Sequence, residues 1–262
     1  MTDARIGYSA QDGVGRIVLD QQAKHNAMSI GMWEALPAAV AQALADPAVR
    51  VITVEGAGQR AFCAGADISQ FGERRTGEAA VGGYDKAVGA GYLALSEATK
   101  PTVALIRGIC FGGGMALAMS CDLRLAAGGS RFRIPAGRLG LGYGYDAVMR
   151  LLRRLGPGPV AEILFTARVL TAEEARACGA VQQLYPAESF DADAAAYVGL
   201  IAQNAPLTLA AVKRTLLDWD RPEAQRDPAA VAAMVAACFA SSDSREGQAA
   251  FKEKRAPAFT GR

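Results

Sequence analysis

One histidine occurs in the whole chain, His25 in the segment KHNAM, and that bounds the chemistry at once. A Ser-His-Asp relay would depend entirely on it, no G-x-S-x-G elbow accompanies it, and a metal site built on several imidazoles is impossible. His25 reads as a loop or rim residue. A G-x-G-x-x-A run at Gly56 to Ala61 follows a β-branched segment, as a dinucleotide fingerprint would. It fails the next requirement: FCAGAD and a polar stretch follow, where an apolar helix and then an acidic strand end ~20 residues on are needed. Two glycine- and alanine-rich turns remain, AFCAGADI at 61–68 and IRGICFGGGMALAMSCDL at 106–123. Each places small residues where a strand gives way to a helix start, so backbone N–H groups there lack an intrahelical partner and face an anion. Two such donors make an oxyanion hole, which stabilises the charge developing on an acyl carbonyl without any ionisable side chain; each donor is worth ~10² to 10³ in rate. Either turn alone also reads as close packing of helix on strand, and the pair in this order is the specific signal.

The elements that must position these turns follow from periodicity. Val14 to Asp20 and Val49 to Glu55 read as strands, and TVALI and DLRLAA as two more. Met28 to Leu44 has helical spacing at Trp33, Leu36, Val40, Ala43 and Leu44, with Ser29 as cap and Asp46-Pro47 as stop. A charged stretch from Gly72 to Gly83 reads as a mobile surface loop, and Tyr84 to Ala98 as helix. Asp146 to Leu155, Gly158 to Ala167 and Thr171 to Cys178 read as helices, the last with a Thr171/Glu174 capping box. From Phe190 on, nearly everything is helical, including an apolar run at 229–240 that reads as a buried or interface helix. The alternation predicts an α/β fold with glycine turns at strand ends facing a ligand.

Composition agrees with a folded protein. The 262 residues are 51% hydrophobic and 21% charged, with a net charge of +2 that no basic block concentrates, which argues against a nucleic-acid partner. Five scattered cysteines with no C-x-x-C pair suit reduced thiols in a cytoplasm, and the N-terminus has no secretory pattern. The apolar run at 229–240 is short of the ~20 residues that span a membrane.

At these motifs the sequence resembles the crotonase superfamily, the enoyl-CoA hydratase/isomerase family. VALIRGICFGGGMALAMSCDL is similar to the family signature, AFCAGADI to its first oxyanion turn, and SDSREGQAAFKEKRAPAF to its closing helix. The resemblance implies an α/β, ClpP-like spiral of β-β-α turns over residues 1–195. A helical region over 196–262 would serve oligomerisation, as a homotrimer or a dimer of trimers. It implies an acyl-CoA thioester as substrate, with coenzyme A entering as part of it, and neither a separate cofactor, a metal nor a membrane partner. Carried onto this chain, the oxyanion donors would be the amides of Ala66 and Gly113. Ala64, Asp67, Ile68 and Gly112 would line the pocket, Lys24 and Ala27 would border the adenine side, and Phe251 and Lys254 would reach the nucleotide end of CoA.

The departures matter as much. The two glutamates with which hydratases of the family add water correspond to Ala116 and Ala136 here, and the later acidic slot to Gly144. Neither alanine moves a proton, and each missing acid or base is worth ~10² to 10⁴ in rate. The loop RLGLGYGYD supplies Arg138, Tyr143, Tyr145 and Asp146 instead. PAGRLGLGY is similar to the loop of methylmalonyl-CoA decarboxylase-like members, with Tyr143 at their tyrosine. The expectation is an acyl-CoA enzyme of enoyl-CoA hydratase/isomerase type. Decarboxylation of a malonyl-type ester, with Tyr143 as a catalytic group, and non-catalytic CoA-ester binding stand as alternatives. Tyr143 also reads as a packing residue, Arg138 as surface or as partner of a substrate carboxylate, and Asp67 and Asp122 as helix-end caps or turn residues.

Overall fold

The computed structural model describes residues 4–67, 69 and 78–262. Ten strands form two sheets. The six-stranded sheet has the order β1-β2-β3-β5-β7-β10, from β1 (Arg5–Gln11), β2 (Val14–Asp20), β3 (Val51–Gly56), β5 (Thr102–Ile106), β7 (Leu123–Ala127) and β10 (Gln183–Tyr185). The four-stranded sheet has the order β4-β6-β8-β9, from β4 (Ala61–Cys63), β6 (Ile109–Phe111), β8 (Arg131–Arg133) and β9 (Leu170–Thr171). Three times the chain runs along a strand of the first sheet, turns into a strand of the second, and continues to a helix: β3-β4, β5-β6 and β7-β8. This is the expected α/β spiral of β-β-α turns.

The turn between β5 and β6 shows why glycine is needed. Gly108 has φ +59°, and a Cβ there would sit 2.1 Å from the Arg60 carbonyl oxygen, so only glycine lets the two turns touch. Strands β3, β5 and β7 pair in parallel and are buried on both faces, which explains their continuous apolar runs. On the inner face Ile52, Val54, Ala104 and Ile106 meet α1 (Ile30–Ala45), α2 (Glu78–Ser96) and α3 (Gly113–Ser120). On the outer face Val51, Val103 and Leu125 meet Phe190, Ala194 and Val198 of α7 (Phe190–Ala202). The expected division at residues 195–196 falls within that helix.

Helices α4 (Tyr145–Leu155), α5 (Pro157–Thr166) and α6 (Ala172–Ala177) follow the second sheet's strands, and α8 (Pro206–Trp219), α9 (Pro228–Ala240) and α10 (Ser242–Glu253) close the chain. Ser29 caps α1 and the Thr171/Glu174 capping box opens α6, both as expected. One strand was missed and one expected loop is corrected. β1 was not anticipated: it pairs antiparallel with β2 through Asp12 (φ +50°) and Gly13 (φ +80°), a hairpin turn that hides in the sequence because β1 is an exposed edge without apolar alternation. The expected loop at 72–83 lies outside the described residues up to 77, and from Glu78 the chain is already helical, its glycines tolerated inside α2 at roughly 1 kcal/mol each. For the apolar helix α9, read as buried or at an interface, the buried alternative falls, since none of its residues is buried within the chain. Among the described residues no single helix is long and apolar enough to cross a membrane.

Helix α8 is tied to the core by a buried ion pair. Lys213 Nζ, on a residue 3% exposed, donates to Asp122 Oδ1 and Oδ2 at 2.6 and 2.7 Å, and Asp122 also accepts from the Thr102 N–H at 2.8 Å. Asp122 is thus a turn residue that holds strand ends together. Removing one partner of such a pair leaves a buried charge uncompensated and costs about 3 to 5 kcal/mol. Asp122→Ala, which strands the ammonium, is expected to lower the urea midpoint more than Lys213→Met, whose Asp122 keeps its Thr102 bonds; the reverse order would show that Lys213 is not held by this pair.

Candidate functional site

The turn after β4 is held by the loop that contains the single histidine. Ala64 N–H donates to the His25 carbonyl at 3.0 Å, Met28 N–H to the Gly65 carbonyl at 2.7 Å, and Asp67 N–H to the Met28 carbonyl at 3.0 Å. Asn26 locks the loop from behind, its side-chain amide donating to the carbonyls of Ala57 and Ala61 at 2.9 and 2.8 Å. The Gly56 to Ala61 segment is therefore a bend between β3 and β4 with no helix opening in it, and the dinucleotide reading falls. His25 contributes through its backbone.

Against this turn lies the start of α3. Gly112 N–H donates to the Arg133 carbonyl at 2.7 Å, and Gly113 is the first helical residue, so its own N–H has no intrahelical acceptor. The two turns approach peptide to peptide. A Cβ on Gly65, which has φ +105°, would lie 3.4 Å from Gly113 N; one on Gly113 would lie 3.7 Å from Ala66 N; one on Gly114 would lie 2.3 Å from the Cys63 carbonyl oxygen. Neither the Ala66 nor the Gly113 N–H donates to another described residue.

Both amides open on a cavity of about 520 Å³. Of the expected residues, Ala64, Ala66, Gly112, Gly113, Ala136 and Tyr143 line it together, with Gly144. Ala136 opens a single 3₁₀ turn, Ala136–Arg138, and Ala116 is buried on the first turn of α3, so neither side chain can transfer a proton. The sequence reading missed Trp33, Tyr84, Asp85 and Tyr92, which also line the cavity. Trp33 was visible only as one more apolar position on a helix, and Tyr92 had no signal beyond its type. Tyr92 is buried, donates to the Gly113 carbonyl at 3.2 Å, and stacks edge-on against Trp33 with ring centroids 5.0 Å apart. The indole N–H of Trp33 has no partner among the described residues.

The cavity favours neutral phenols. Burial pushes the Tyr143 phenol up to about 12 against the pull of nearby Arg150. Burial, reinforced by Tyr143 and Cys63, raises Tyr92 well above the ordinary tyrosine value. Both therefore serve as hydrogen-bond donors at neutral pH and as poor bases.

Other expected residues lie elsewhere. Lys24 Nζ donates to Asp67 Oδ2 and to Ser69 Oγ, both at 2.7 Å, and Gln21 Nε2 to Asp67 Oδ2 at 3.1 Å, so Lys24 and Asp67 brace the first turn from outside the cavity. Ala27 is buried in the same loop. Phe251, 85% exposed, stands on a separate apolar groove of about 730 Å³ among α8, α9 and α10, and Lys254 is the exposed C-cap of α10. The single chain does not bring these two to the cavity. Ile68 lies outside the described residues. Arg138 is exposed and off the lining, and Tyr145 and Asp146 border an adjoining cavity.

Two outcomes test this geometry. Gly114→Ala is expected to cost about 1 to 3 kcal/mol or more in thermal unfolding, because a backbone carbonyl cannot yield, whereas Gly89→Ala, in open space on α2, gains roughly 0.4 to 1 kcal/mol. For Asp67, burial raises the carboxyl pKa, but hydrogen bonds from Lys24, Ser69 and Gln21 outweigh it and hold it at about 2. Since the unfolded value is ~3.9, its contribution is complete above that pH and is lost as pH falls toward 2. Asp67→Asn should flatten the acid limb of the stability profile over that window and leave its shape at neutral pH unchanged.

Comparison with known proteins places this geometry. The family model described as enoyl-CoA hydratase/isomerase matches residues 9–262. The chain is 35% identical over 211 residues to the crotonyl-CoA hydratase of Syntrophomonas wolfei, covering 80% of each, and 34% identical over 221 residues to the carnitinyl-CoA dehydratase of Proteus mirabilis, covering 83% of this chain and 84% of that one. The crystal structure of an enoyl-CoA hydratase/carnithine racemase from Magnetospirillum magneticum superposes with a TM-score of 0.91 at 30% identity, over 100% of this chain and 97% of that one. An enoyl-CoA hydratase/isomerase family protein from Hyphomonas neptunium gives 0.91 at 35% identity over 98% of both. With a family model spanning almost the whole chain and two solved folds superposing along its length, the chain belongs to the enoyl-CoA hydratase/isomerase family, the crotonase superfamily.

Proposed function

We propose that the chain binds an acyl-CoA thioester with its carbonyl oxygen on the amides of Ala66 and Gly113, and that catalysis runs through the enolate those donors stabilise. The observation that carries this reading is the pair of unsatisfied N–H groups from two turns, packed side by side at the wall of one cavity. Enolate charge develops on the oxygen in the transition state, so preset donors there lower the barrier selectively. Hydration by paired glutamates is not the reaction we infer, because Ala116 and Ala136 stand in both places. A second reading, loss of CO₂ from a malonyl-type thioester, is favoured by Tyr143. Cleavage of the C–C bond leaves its electron pair as the enolate, so no base is required, and a neutral phenol on the cavity wall is suited to return a proton to carbon. Coenzyme A enters as part of the substrate.

The same reading takes the exposed α8–α10 face as the place where copies of the chain meet, as a trimer or a dimer of trimers. Support comes from the large apolar side chains it leaves in solvent, Phe239 at 78% and Phe251 at 85% exposed.

The test is product analysis by mass spectrometry with crotonyl-CoA, longer enoyl-CoA esters and methylmalonyl-CoA, run on the wild type, Gly113→Pro and Tyr143→Phe. Proline is compatible with the first helical position and deletes the N–H. A folded Gly113→Pro should lose ~10² to 10³ in rate; full activity would overturn the oxyanion assignment. CO₂ loss that slows in Tyr143→Phe supports the second reading, and water addition by the wild type would overturn the exclusion of hydration. Tight ester binding with no product from any ester would make the chain a CoA-ester-binding protein.

A further inference from the structure

Next to the first cavity lies a second of about 640 Å³, and the two share lining residues that include Asp85, Val88, Tyr92, Tyr143 and Ala147. The second cavity carries one guanidinium on its lining, that of Arg150 on α4. Its central carbon lies 4.7 Å from the centroid of the Tyr92 ring, and the hydroxyl of that same ring reaches the Gly113 carbonyl at 3.2 Å. A single tyrosine therefore spans from the backbone of the oxyanion turn to a positive charge.

Of the arginines nearby, Arg150 is the one on the lining of the second cavity; Arg153, also without an ion pair among the described residues, lies off it. Arg154 pairs with Asp220 at 3.7 Å, and Arg221 pairs with Glu97 at 3.0 Å and Asp218 at 3.3 Å. Arg150, half-buried, has no carboxylate within ion-pair distance among the described residues, and the one acid close enough to be felt is Asp146, one turn earlier on the same helix. The Tyr92 ring face offsets part of the desolvation. It leaves the planar fork of five N–H donors without an acceptor, and that fork matches a carboxylate in bidentate geometry.

We propose that Arg150 is a specificity-determining residue that pairs with a carboxylate at the far end of the acyl chain, so that the preferred ligands are CoA thioesters of dicarboxylic acids. The proposal rests on the thioester reading above and is independent of which reaction follows. Tyr92 and Tyr143 form a neutral partition between the two anionic ends of such a ligand, the carbonyl oxygen on one side and the carboxylate on the other. The acids that border the second cavity, Asp85 and Asp146, both stand on its exposed rim, where solvent and salt screen their repulsion of an anionic ligand. Arg138, the arginine singled out from sequence for this role, is exposed and lines neither cavity.

Calorimetric titration with glutaryl-CoA and valeryl-CoA tests this, because the two acyl chains have the same number of carbons and differ in ending on a carboxylate or a methyl group. Wild-type protein is expected to bind glutaryl-CoA about tenfold or more tightly than valeryl-CoA, and the advantage should shrink as salt is raised. Arg150→Gln should erase that advantage and leave valeryl-CoA within about twofold of its wild-type affinity. Equal wild-type affinity for the two esters overturns the proposal without requiring any variant to fold. An Arg150→Gln that weakens both esters equally also overturns it, since the arginine would then act only by supporting Tyr92. Failure of the wild type to bind either ester would overturn the thioester reading itself, and this proposal with it.

Discussion

The arrangement depends on one steric constraint: two peptide turns from different sheet-to-sheet crossings occupy a space with no room for side chains between them. A Cβ at Gly114 would come within 2.3 Å of the Cys63 carbonyl oxygen, and one at Gly108 within 2.1 Å of the Arg60 carbonyl oxygen. Packing of this density makes the positions of the Ala66 and Gly113 amides a property of the backbone, fixed when the four-stranded sheet forms. Nothing has to reorganise for the donors to point the same way, and this is the condition under which hydrogen-bond donors contribute most to a transition state.

The rest of the fold holds that approach in place. From one side, the loop at 21–28 bonds to the first turn through three backbone hydrogen bonds and the Lys24–Asp67 pair. From the other, Arg133 of β8 accepts the Gly112 amide, and Tyr92 bonds the Gly113 carbonyl from α2. The two residues assigned from resemblance to the ligand side, Lys24 and Asp67, thus stabilise the turn from behind. An ion pair with a 2.7 Å contact and a carboxyl held at about 2 is a brace at neutral pH.

What could be read from the sequence divides along a physical line. Gly65 and Gly112 to Gly114 were legible because a backbone demand for glycine is local and leaves a mark in composition. The Thr171/Glu174 box was legible for the same reason, being complete within four residues. Strand β1 escaped because an exposed edge needs no apolar alternation, and Tyr92, Trp33 and Arg150 escaped because their meaning arises where α1, α2 and α4 converge, a tertiary fact with no spacing rule. Phe251 and Lys254 came from resemblance alone, and the single chain places them on its outer helical face, away from the cavity.

Alanine at positions 116 and 136 bears on the electrostatic character of the cavity as well as on its proton inventory. A pair of ionised carboxylates beside the acyl group would repel a developing enolate; the wall here holds neutral phenols, two unsatisfied amides and the exposed Asp85, with the Arg150 guanidinium on the far face of Tyr92. Of the charged side chains on these two linings, Arg150 has the sign that favours an anion, while Asp85 and Asp146 have the opposite sign and are exposed, where solvent and salt screen them. Under the proposed reading, such a cavity keeps the stabilisation of an enolate and does without proton transfer by carboxylates at positions 116 and 136. On the reading proposed above, alanine at positions 116 and 136 and the unpaired guanidinium of Arg150 act in the same direction, toward ligands that carry negative charge.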